Sequence, residues 1–214
     1  MKDIILSGIQ ASGKGTQSRL LLEHFWDRMK YFETGGILRS LQSNENAIGN
    51  YLKDLTKNGL LVADEVVSGL WGVFMATLGE NDWILWDWCL RRIGQTQQII
   101  GKMREKKRDF VVVNFQITED EVYKRLSWRK VCAKCGKSYS PLDGDLERCS
   151  FCCWELIRRN DDEDIDAIKS RISAFYEDTM PCIEWVRKEG LLVDIDAMKN
   201  PQEIFQELLH ILGE

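Results

Sequence analysis

The sequence predicts an α/β protein whose core is a five-stranded parallel β-sheet flanked by helices. Three observations predict this fold. Five short apolar runs have the length of strands, helical stretches separate them, and a glycine-rich loop joins the first run to the first helix. Strands that alternate with helices pair in parallel, so both faces of the sheet should be covered. Ligands of such a sheet bind beyond the carboxyl ends of its strands.

The expected strands and helices alternate along the chain. The strands are predicted at residues 4–6, near 31–32, and at 83–86, 110–114 and 191–195. The helices are predicted at 16–25, 65–78, 95–107, 119–128 and 165–188, and Pro181 should kink or break the last of them. Two segments fall outside the sheet. One covers about residues 34–61, and the other holds most of the cysteines.

The loop after the first strand has the pattern of a phosphate-binding loop. It matches G-x-x-x-x-G-K-[ST] from Gly8, except that Gly15 stands in the last position and Thr16 follows it. Gly8 and Gly13 let the backbone N–H groups turn toward one anion, while Lys14 and the helix N-terminus add positive charge. A chance glycine-rich turn is the alternative. A strand before the loop and a helix after it favour a P-loop that binds a nucleoside triphosphate.

Composition excludes several classes of protein. The 214 residues suffice for one substantial core with small insertions, and 29 basic against 34 acidic residues give a net charge of −5. This balance argues against nucleic-acid and membrane partners, which favour a basic surplus. No apolar run reaches membrane-spanning length, and the first strand begins almost at Met1, which leaves no room for a signal peptide. We therefore expect a cytoplasmic protein, and a monomer.

Five of the seven cysteines cluster in one segment. Two C-x-x-C pairs, Cys132 with Cys135 and Cys149 with Cys152, are separated by 13 residues. This spacing predicts a tetrahedral zinc site, and four thiolates would make the ion structural rather than catalytic. Cys153 is an alternative fourth ligand, and four free cysteines are the alternative to a metal. Zinc ribbons that bind nucleic acid share the spacing, but the surrounding residues are not basic.

Further motifs follow the P-loop in a fixed order. They are G-K-G-T-Q at 13–17, T-G-G-I-L-R at 34–39, G-L-L-V-A-D-E at 59–65, the trio Asp87, Arg91 and Gln95, the pair Arg125 and Arg129, R-N-D-D at 159–162, and Arg171. The set resembles adenylate kinases and other nucleoside monophosphate kinases, which carry G-K-G-T-Q, T-G-D-x-L-R, G-x-L-V-x-D-E, D-G-F-P-R-x-x-x-Q and R-x-D-D. The resemblance covers nearly the whole chain.

The resemblance implies reversible transfer of the γ-phosphoryl group of ATP to a nucleoside monophosphate. Gln95 favours AMP as that monophosphate, because in the family the amide at this position pairs with the adenine edge. Trp88-Cys89-Leu90 replaces the family's Gly-Phe-Pro. A kinase for CMP or UMP, with a pocket altered by Trp88, is therefore one alternative. A nucleotide-sensing P-loop protein with weak catalysis is another.

The resemblance also implies roles for individual residues. The catalytic set is Lys14, Arg91, Arg125, Arg129, Arg159 and Arg171. The ATP-binding set is Gly8, Ser12, Gly13, Lys14, Gly15, Thr16, Gln17, Arg125 and Arg129. The monophosphate-binding set is Thr34, Gly35, Arg39, Val62, Trp88, Arg91 and Gln95. Thr16 and Asp87 would order Mg²⁺ and its water shell, and Cys132, Cys135, Cys149 and Cys152 would hold Zn²⁺.

Some of these residues also have simpler interpretations. Arg125 and Arg129, spaced i, i+4, could form a solvated helix face, and Thr34 could be only a helix N-cap. Arg171 lies one residue further along than the family pattern. The motif therefore allows either Arg158 or Arg159, and either Asp161 or Asp162, to take the family role.

The family organisation implies three parts. A core would comprise residues 1–33, 65–125 and 164–214, a monophosphate-binding segment 34–64, and a lid with the zinc knuckle 126–163. We call these the core, the acceptor segment and the lid.

Overall fold

A computed structural model of the chain describes residues 1–57, 62–87, 90–140, 143–158, 162 and 164–214. Its strands are β1 Asp3–Gly8, β2 Met29–Glu33, β3 Trp83–Asp87, β4 Phe110–Gln116, β5 Lys130–Cys132, β6 Ser138–Tyr139, β7 Leu156–Arg158 and β8 Leu192–Asp196. Five of them form one parallel sheet in the order β2-β3-β1-β4-β8. The predicted five-stranded parallel sheet is confirmed, and each of its five strands lies within about two residues of its predicted position.

The helices of the described residues are α1 Lys14–Phe25, α2 Thr34–Gln42, α3 Ala47–Lys57, α4 Asp64–Ala76, α5 Ile93–Glu105, α6 Glu119–Trp128, α7 Ile165–Ala174, α8 Met180–Lys188 and α9 Pro201–Leu212. The first four predicted helices are confirmed, with ends that shift by about two residues. Within the described ranges, none of the helices combines the length and the apolar character needed to cross a bilayer.

Two apolar cores cover the two faces of the sheet. Alternation along β1 sends Ile4 and Leu6 to one face, against α1 and α9, and Ile5 to the other, against α4, α5 and α8. Trp86 is fully buried on the second face and stacks on Trp71, with ring centroids 5.6 Å apart. Because both faces of the sheet are buried, ligands can bind at the carboxyl ends of its strands, which we call the carboxyl edge of the sheet.

The helix predicted at 165–188 is interrupted. It runs as α7, then as a π-helical turn at Phe175–Thr179, and resumes as α8 with Pro181 in its first turn. The break that Pro181 predicts is confirmed, although it lies before the proline. Proline has no N–H group to donate within a continuous helix, but it is tolerated where a helix starts. The chain therefore widens into a π-helical turn before Pro181 and begins a new α-helix there.

The two segments outside the sheet have their own structure. The acceptor segment forms α2 and α3, which pack on each other. The cysteine segment forms a three-stranded antiparallel sheet in the order β6-β5-β7. An ion pair between Arg19 of α1 and Asp143, which follows β6 in the same segment, connects this segment to the core; the two charged atoms are 3.4 Å apart.

Candidate active site

The P-loop curls around its own lysine. Gly8 and Gly13 have φ angles of 135° and 98°, which L side chains rarely adopt, and a Cβ at Gly8 would lie 2.7 Å from the Phe115 carbonyl oxygen. Lys14 Nζ donates to the carbonyl oxygens of Gly8 at 2.7 Å and Ile9 at 2.9 Å. The loop therefore holds a buried cation at the start of α1, beside the carboxyl end of β1.

Lys14 and Asp87 form the electrostatic centre of the site. Burial lowers the pKa of Lys14 to about 8; Asp87 opposes this shift, and the nearby guanidinium groups of Arg129 and Arg91 add to it. Burial raises the pKa of Asp87 to about 6, against the pull of Lys14 and with the help of Glu33. The two buried groups stabilise each other's charged forms, and two arginines lie close enough to affect them.

Asp87 has one oxygen occupied and one available. Its Oδ2 accepts from the Tyr31 hydroxyl at 3.4 Å and from Ser18 Oγ at 3.5 Å. Its buried Oδ1 has no hydrogen-bond partner among the described residues. A buried carboxylate oxygen without a donor suits a hard cation or the water shell around one, so this residue fits Mg²⁺. Thr16 is half-buried in the first turn of α1.

The other predicted ATP-binding residues surround the loop. Ser12 Oγ accepts from Lys14 Nζ at 3.2 Å, and Gly15 is exposed, with open space where a Cβ would be. Gln17 is buried and donates through Nε2 to the Pro201 carbonyl at 2.8 Å. Gln17 therefore connects the P-loop helix to the start of α9.

Arg125 and Arg129 do not form a solvated face, and that interpretation is wrong. Arg125 donates to the carbonyl oxygens of Ala11 at 3.3 Å and Ala197 at 2.9 Å. Arg129 donates through two nitrogens to Asp162, both at 2.6 Å, and its side chain is 15% exposed. Both guanidinium groups face inward from the end of α6, which leads into the lid.

Asp162 holds two arginines of the predicted catalytic set. Its fully buried carboxylate also accepts from Arg171 at 3.0 Å. Asp162 is one of the two acidic residues that the motif allowed, and the other, Asp161, lies outside the described residues. Arg159 also lies outside them, and Arg158 donates to the Ser127 carbonyl at 3.3 Å.

The acceptor side contains buried polar groups. Thr34 is the first residue of α2, and its buried Oγ1 has no hydrogen-bond partner in the part of the chain that the structure describes. The N-cap position belongs to Glu33, so the interpretation of Thr34 as only an N-cap is wrong. Gln95 is 4% exposed near the start of α5. Burial lowers the pKa of Arg91 to about 10, with Arg171 adding to the shift and Asp178 opposing it.

The remaining acceptor residues are less defined. Arg39 of α2 donates to Glu33 at 2.7 Å, and Gly35 lies in the first turn of the same helix. Val62 is half-buried ahead of α4. Trp88, with Cys89, lies outside the described residues, so the prediction for this substituted position stays a prediction.

The four predicted metal-binding cysteines come together. Their sulfur atoms lie within 4.8 Å of one another, with 3.4 Å between Cys132 and Cys152 and 3.6 Å between Cys135 and Cys149. Backbone N–H groups within each C-x-x-C turn donate to Cys132 and Cys149 at 3.4 Å, as for thiolate ligands. The donor set is compatible with zinc. The alternative ligand Cys153 is exposed and lies outside the cluster.

The site is suited to polyphosphates, because it brings a buried lysine and several arginines to a carboxylate at the end of a parallel strand. Together with the P-loop, this arrangement defines a P-loop phosphotransferase. Residues 6–191 match the family described as adenylate kinase, and the chain belongs to the adenylate kinase family. It is an enzyme that transfers phosphoryl groups to nucleoside monophosphates.

Relatives match along nearly their full lengths. The chain is 30% identical over 213 residues to the adenylate kinase of Petrotoga mobilis, with 98% of this chain and 96% of the relative covered. It is 31% identical over 216 residues to that of Methanothrix thermoacetophila, with 99% of each covered. The adenylate kinase of Syntrophotalea carbinolica is also 31% identical, with 98% of each covered. These comparisons give no support to a nucleotide-sensing protein.

Sequence reasoning missed three residues that contact the site. Ser18 and Tyr31 both donate to Asp87, and Glu33 accepts from Arg39. Ser18 could have been found, because it lies four residues after Lys14 and therefore on the same helix face. Glu33 could have been suspected as the last residue before the T-G-G motif. The contact of Tyr31 depends on strand pairing, which no local pattern reveals.

Proposed function

We propose that this enzyme transfers the γ-phosphoryl group of ATP reversibly to AMP and forms two molecules of ADP. The observation that carries the proposal is the convergence of Lys14, Arg91 and Arg129 on the carboxyl edge of the sheet beside Asp87. AMP is supported by the buried amide of Gln95 and by relatives that are named adenylate kinase. A role in nucleotide biosynthesis follows from this reaction.

The chemistry requires positioning and charge rather than a general base. In phosphoryl transfer, the γ-phosphoryl group passes between two aligned oxygens while negative charge spreads over its equatorial oxygens. Lys14 and the P-loop N–H groups would bind the β- and γ-phosphates of ATP. Arg125, Arg129 and Arg171 would bind the donor chain and the transferring group, because guanidinium groups stay protonated and donate in pairs. Arg39 and Arg91 would bind the phosphate of AMP.

Two metal ions complete the proposal. Asp87, with Thr16, would hold Mg²⁺ through water; when bound, that ion neutralises charge on the ATP phosphates. The unpartnered buried Oδ1 of Asp87 supports this assignment. The cluster of Cys132, Cys135, Cys149 and Cys152 would hold one structural Zn²⁺.

We also propose that the acceptor segment and the lid move against the core. Arg39, Arg129 and Lys14 lie on these three parts, so closure of both mobile parts would bring all three charges onto the two nucleotides. Hydrogen exchange should slow in both 34–57 and 126–158 when a bisubstrate dinucleotide analogue is added. Unchanged exchange at saturating analogue would contradict closure. For the same enzyme we propose a cytoplasmic monomer, which sedimentation can test for oligomeric state.

One assay tests the acceptor. Purified enzyme with ATP and Mg²⁺ is given AMP, CMP, UMP or GMP, and ADP formation is measured by a coupled assay. We expect the highest kcat/KM with AMP. Trp88→Gly should improve the use of AMP or leave it little changed, because glycine gives the base more room. A wild type that prefers a pyrimidine monophosphate, together with a Trp88→Gly variant that loses AMP activity, would show that Trp88 sets a different specificity.

A further inference from the structure

The acceptor site contains an acidic residue whose role the proposed reaction does not yet explain. Glu33 is the last residue of β2 and pairs in register with Asp87 at the end of β3, so it lies on the carboxyl edge of the sheet. Its Oε1 accepts from Arg39 at 2.7 Å. Arg39 is the α2 residue proposed to bind the acceptor's phosphate. A guanidinium group has five N–H donors, so one contact can fix its direction while others bind an anion.

The backbone leaves room for this ion pair. A Cβ at Gly36 would lie 2.8 Å from Glu33 Oε2 and 3.2 Å from its Cδ. A Cβ at Gly35 would lie 3.0 Å from Arg39 NH1. Two consecutive glycines are unfavourable in the first turn of a helix, because glycine loses more backbone freedom on folding than other residues. The positions of the carboxylate and the guanidinium group explain why small residues stand there.

The sequence also connects the Glu33 carboxylate with the glycine at position 36. The resembling motif T-G-D-x-L-R has aspartate where this chain has Gly36, and this chain has Glu33 directly before the motif. A side chain at position 36 would collide with the carboxylate that now contacts Arg39. The segment therefore carries its acidic group at the strand end instead of in the helix.

We propose that Glu33 is a positioning residue of the acceptor site: its carboxylate orients Arg39 toward the acceptor's phosphate, and Gly36 leaves the space that this carboxylate occupies. The proposal rests on the proposed function, because it concerns the phosphate of the same acceptor. Glu33 acts through Arg39 and does not contact the reacting atoms.

The test uses the full-length enzyme and the monophosphate that the wild type phosphorylates best. Glu33→Gln should raise the KM for that acceptor by about five- to ten-fold, while kcat and the KM for ATP stay within about two-fold. Gly36→Ala should raise the same KM because the new Cβ displaces the carboxylate, which lies at the end of a flexible side chain. Gly101→Ala is the matched control, since a Cβ at that helical glycine meets nothing within 4 Å.

The double variant Glu33→Gln with Gly36→Ala provides the decisive comparison. If Gly36 acts through the Glu33 carboxylate, the double variant should be no worse than Glu33→Gln alone. Additive effects would assign Gly36 a separate structural role and overturn the proposal. An unchanged KM in Glu33→Gln would also overturn it, and a lower KM would show that Glu33 competes with the phosphate. If the wild type phosphorylates no monophosphate, the proposed function fails instead.

Discussion

Asp162 provides a quantitative test of how Arg129 and Arg171, two of the proposed catalytic arginines, are held. Its carboxylate is fully buried and accepts two hydrogen bonds of 2.6 Å from Arg129 and one of 3.0 Å from Arg171. Asp162→Asn keeps the shape but removes the charge, and its amide group would direct N–H donors at guanidinium donors. Both arginines would lose their orientation together.

The structure sets the size of the effect. Removing one partner of a buried ion pair costs about 3–5 kcal/mol. Water reaches the two arginines, which are 15% and 25% exposed, so the lower end of that range applies and we expect about 3 kcal/mol. In a chain of this length that loss lowers Tm by about 6–12 °C. The kcat should fall by about 100-fold, because preorganised charge at the transferring group is lost.

Thermal melts of the nucleotide-free enzyme and steady-state kinetics would measure both effects. Asp166→Asn is the matched control, because that side chain is 85% exposed and pairs only loosely with Lys169, at 3.7 Å. Its effect should stay within about 0.5 kcal/mol. If the two variants have the same Tm and the same kcat, the idea that Asp162 organises these arginines is refuted.

Three further results are expected. Lys14→Ala should lower kcat by about 1000-fold with little change in circular dichroism, since the buried ammonium group would supply charge to the phosphates in the proposed donor site; turnover near wild type would exclude that site. Burial raises the pKa of Asp87 from 3.8 to about 6, so between these pH values the folded chain holds a proton that the unfolded chain releases. The nucleotide-free wild type should therefore lose about 3 kcal/mol relative to Asp87→Asn as pH rises through this window, which urea denaturation can measure; parallel pH profiles would contradict the buried carboxylate. The purified chain should contain one zinc, and a mercurial should release it and speed hydrogen exchange in 130–158. Metal-free protein from a chelator-free purification would refute the zinc site.

Local patterns were enough to predict the sheet and the phosphate-binding loop. Alternation between apolar runs and helical stretches placed all five strands, and the glycine spacing placed Lys14 in the loop just before the predicted first helix, which in the structure begins two residues earlier, at Lys14 itself. Such features depend on residues that are close in sequence. The cysteine cluster was predictable for the same reason, because two C-x-x-C turns fix most of a tetrahedral site.

Contacts between distant residues were not predictable in the same way. Asp162 pairs with both Arg129 and Arg171, and these contacts depend on how the chain returns from the cysteine segment to α7. The π-helical turn before Pro181 is another example, because proline predicts a break but not the wider turn that accommodates it. The contact between Arg129 and Asp162 joins residues too far apart in sequence for a local window to contain both.

The Arg19–Asp143 contact between α1 and the lid has a consequence for the conditions under which the enzyme works. The two side chains are 37% and 22% exposed and 3.4 Å apart, so dissolved ions can screen their attraction. The screening length falls from about 8 Å at 0.15 M ionic strength to about 3 Å at 1 M. In the lid movement that we propose, ionic strength would therefore contribute to the balance between the docked and the undocked lid. Turnover rates measured in dilute buffer and in concentrated salt would then describe enzymes that begin each cycle from different resting positions.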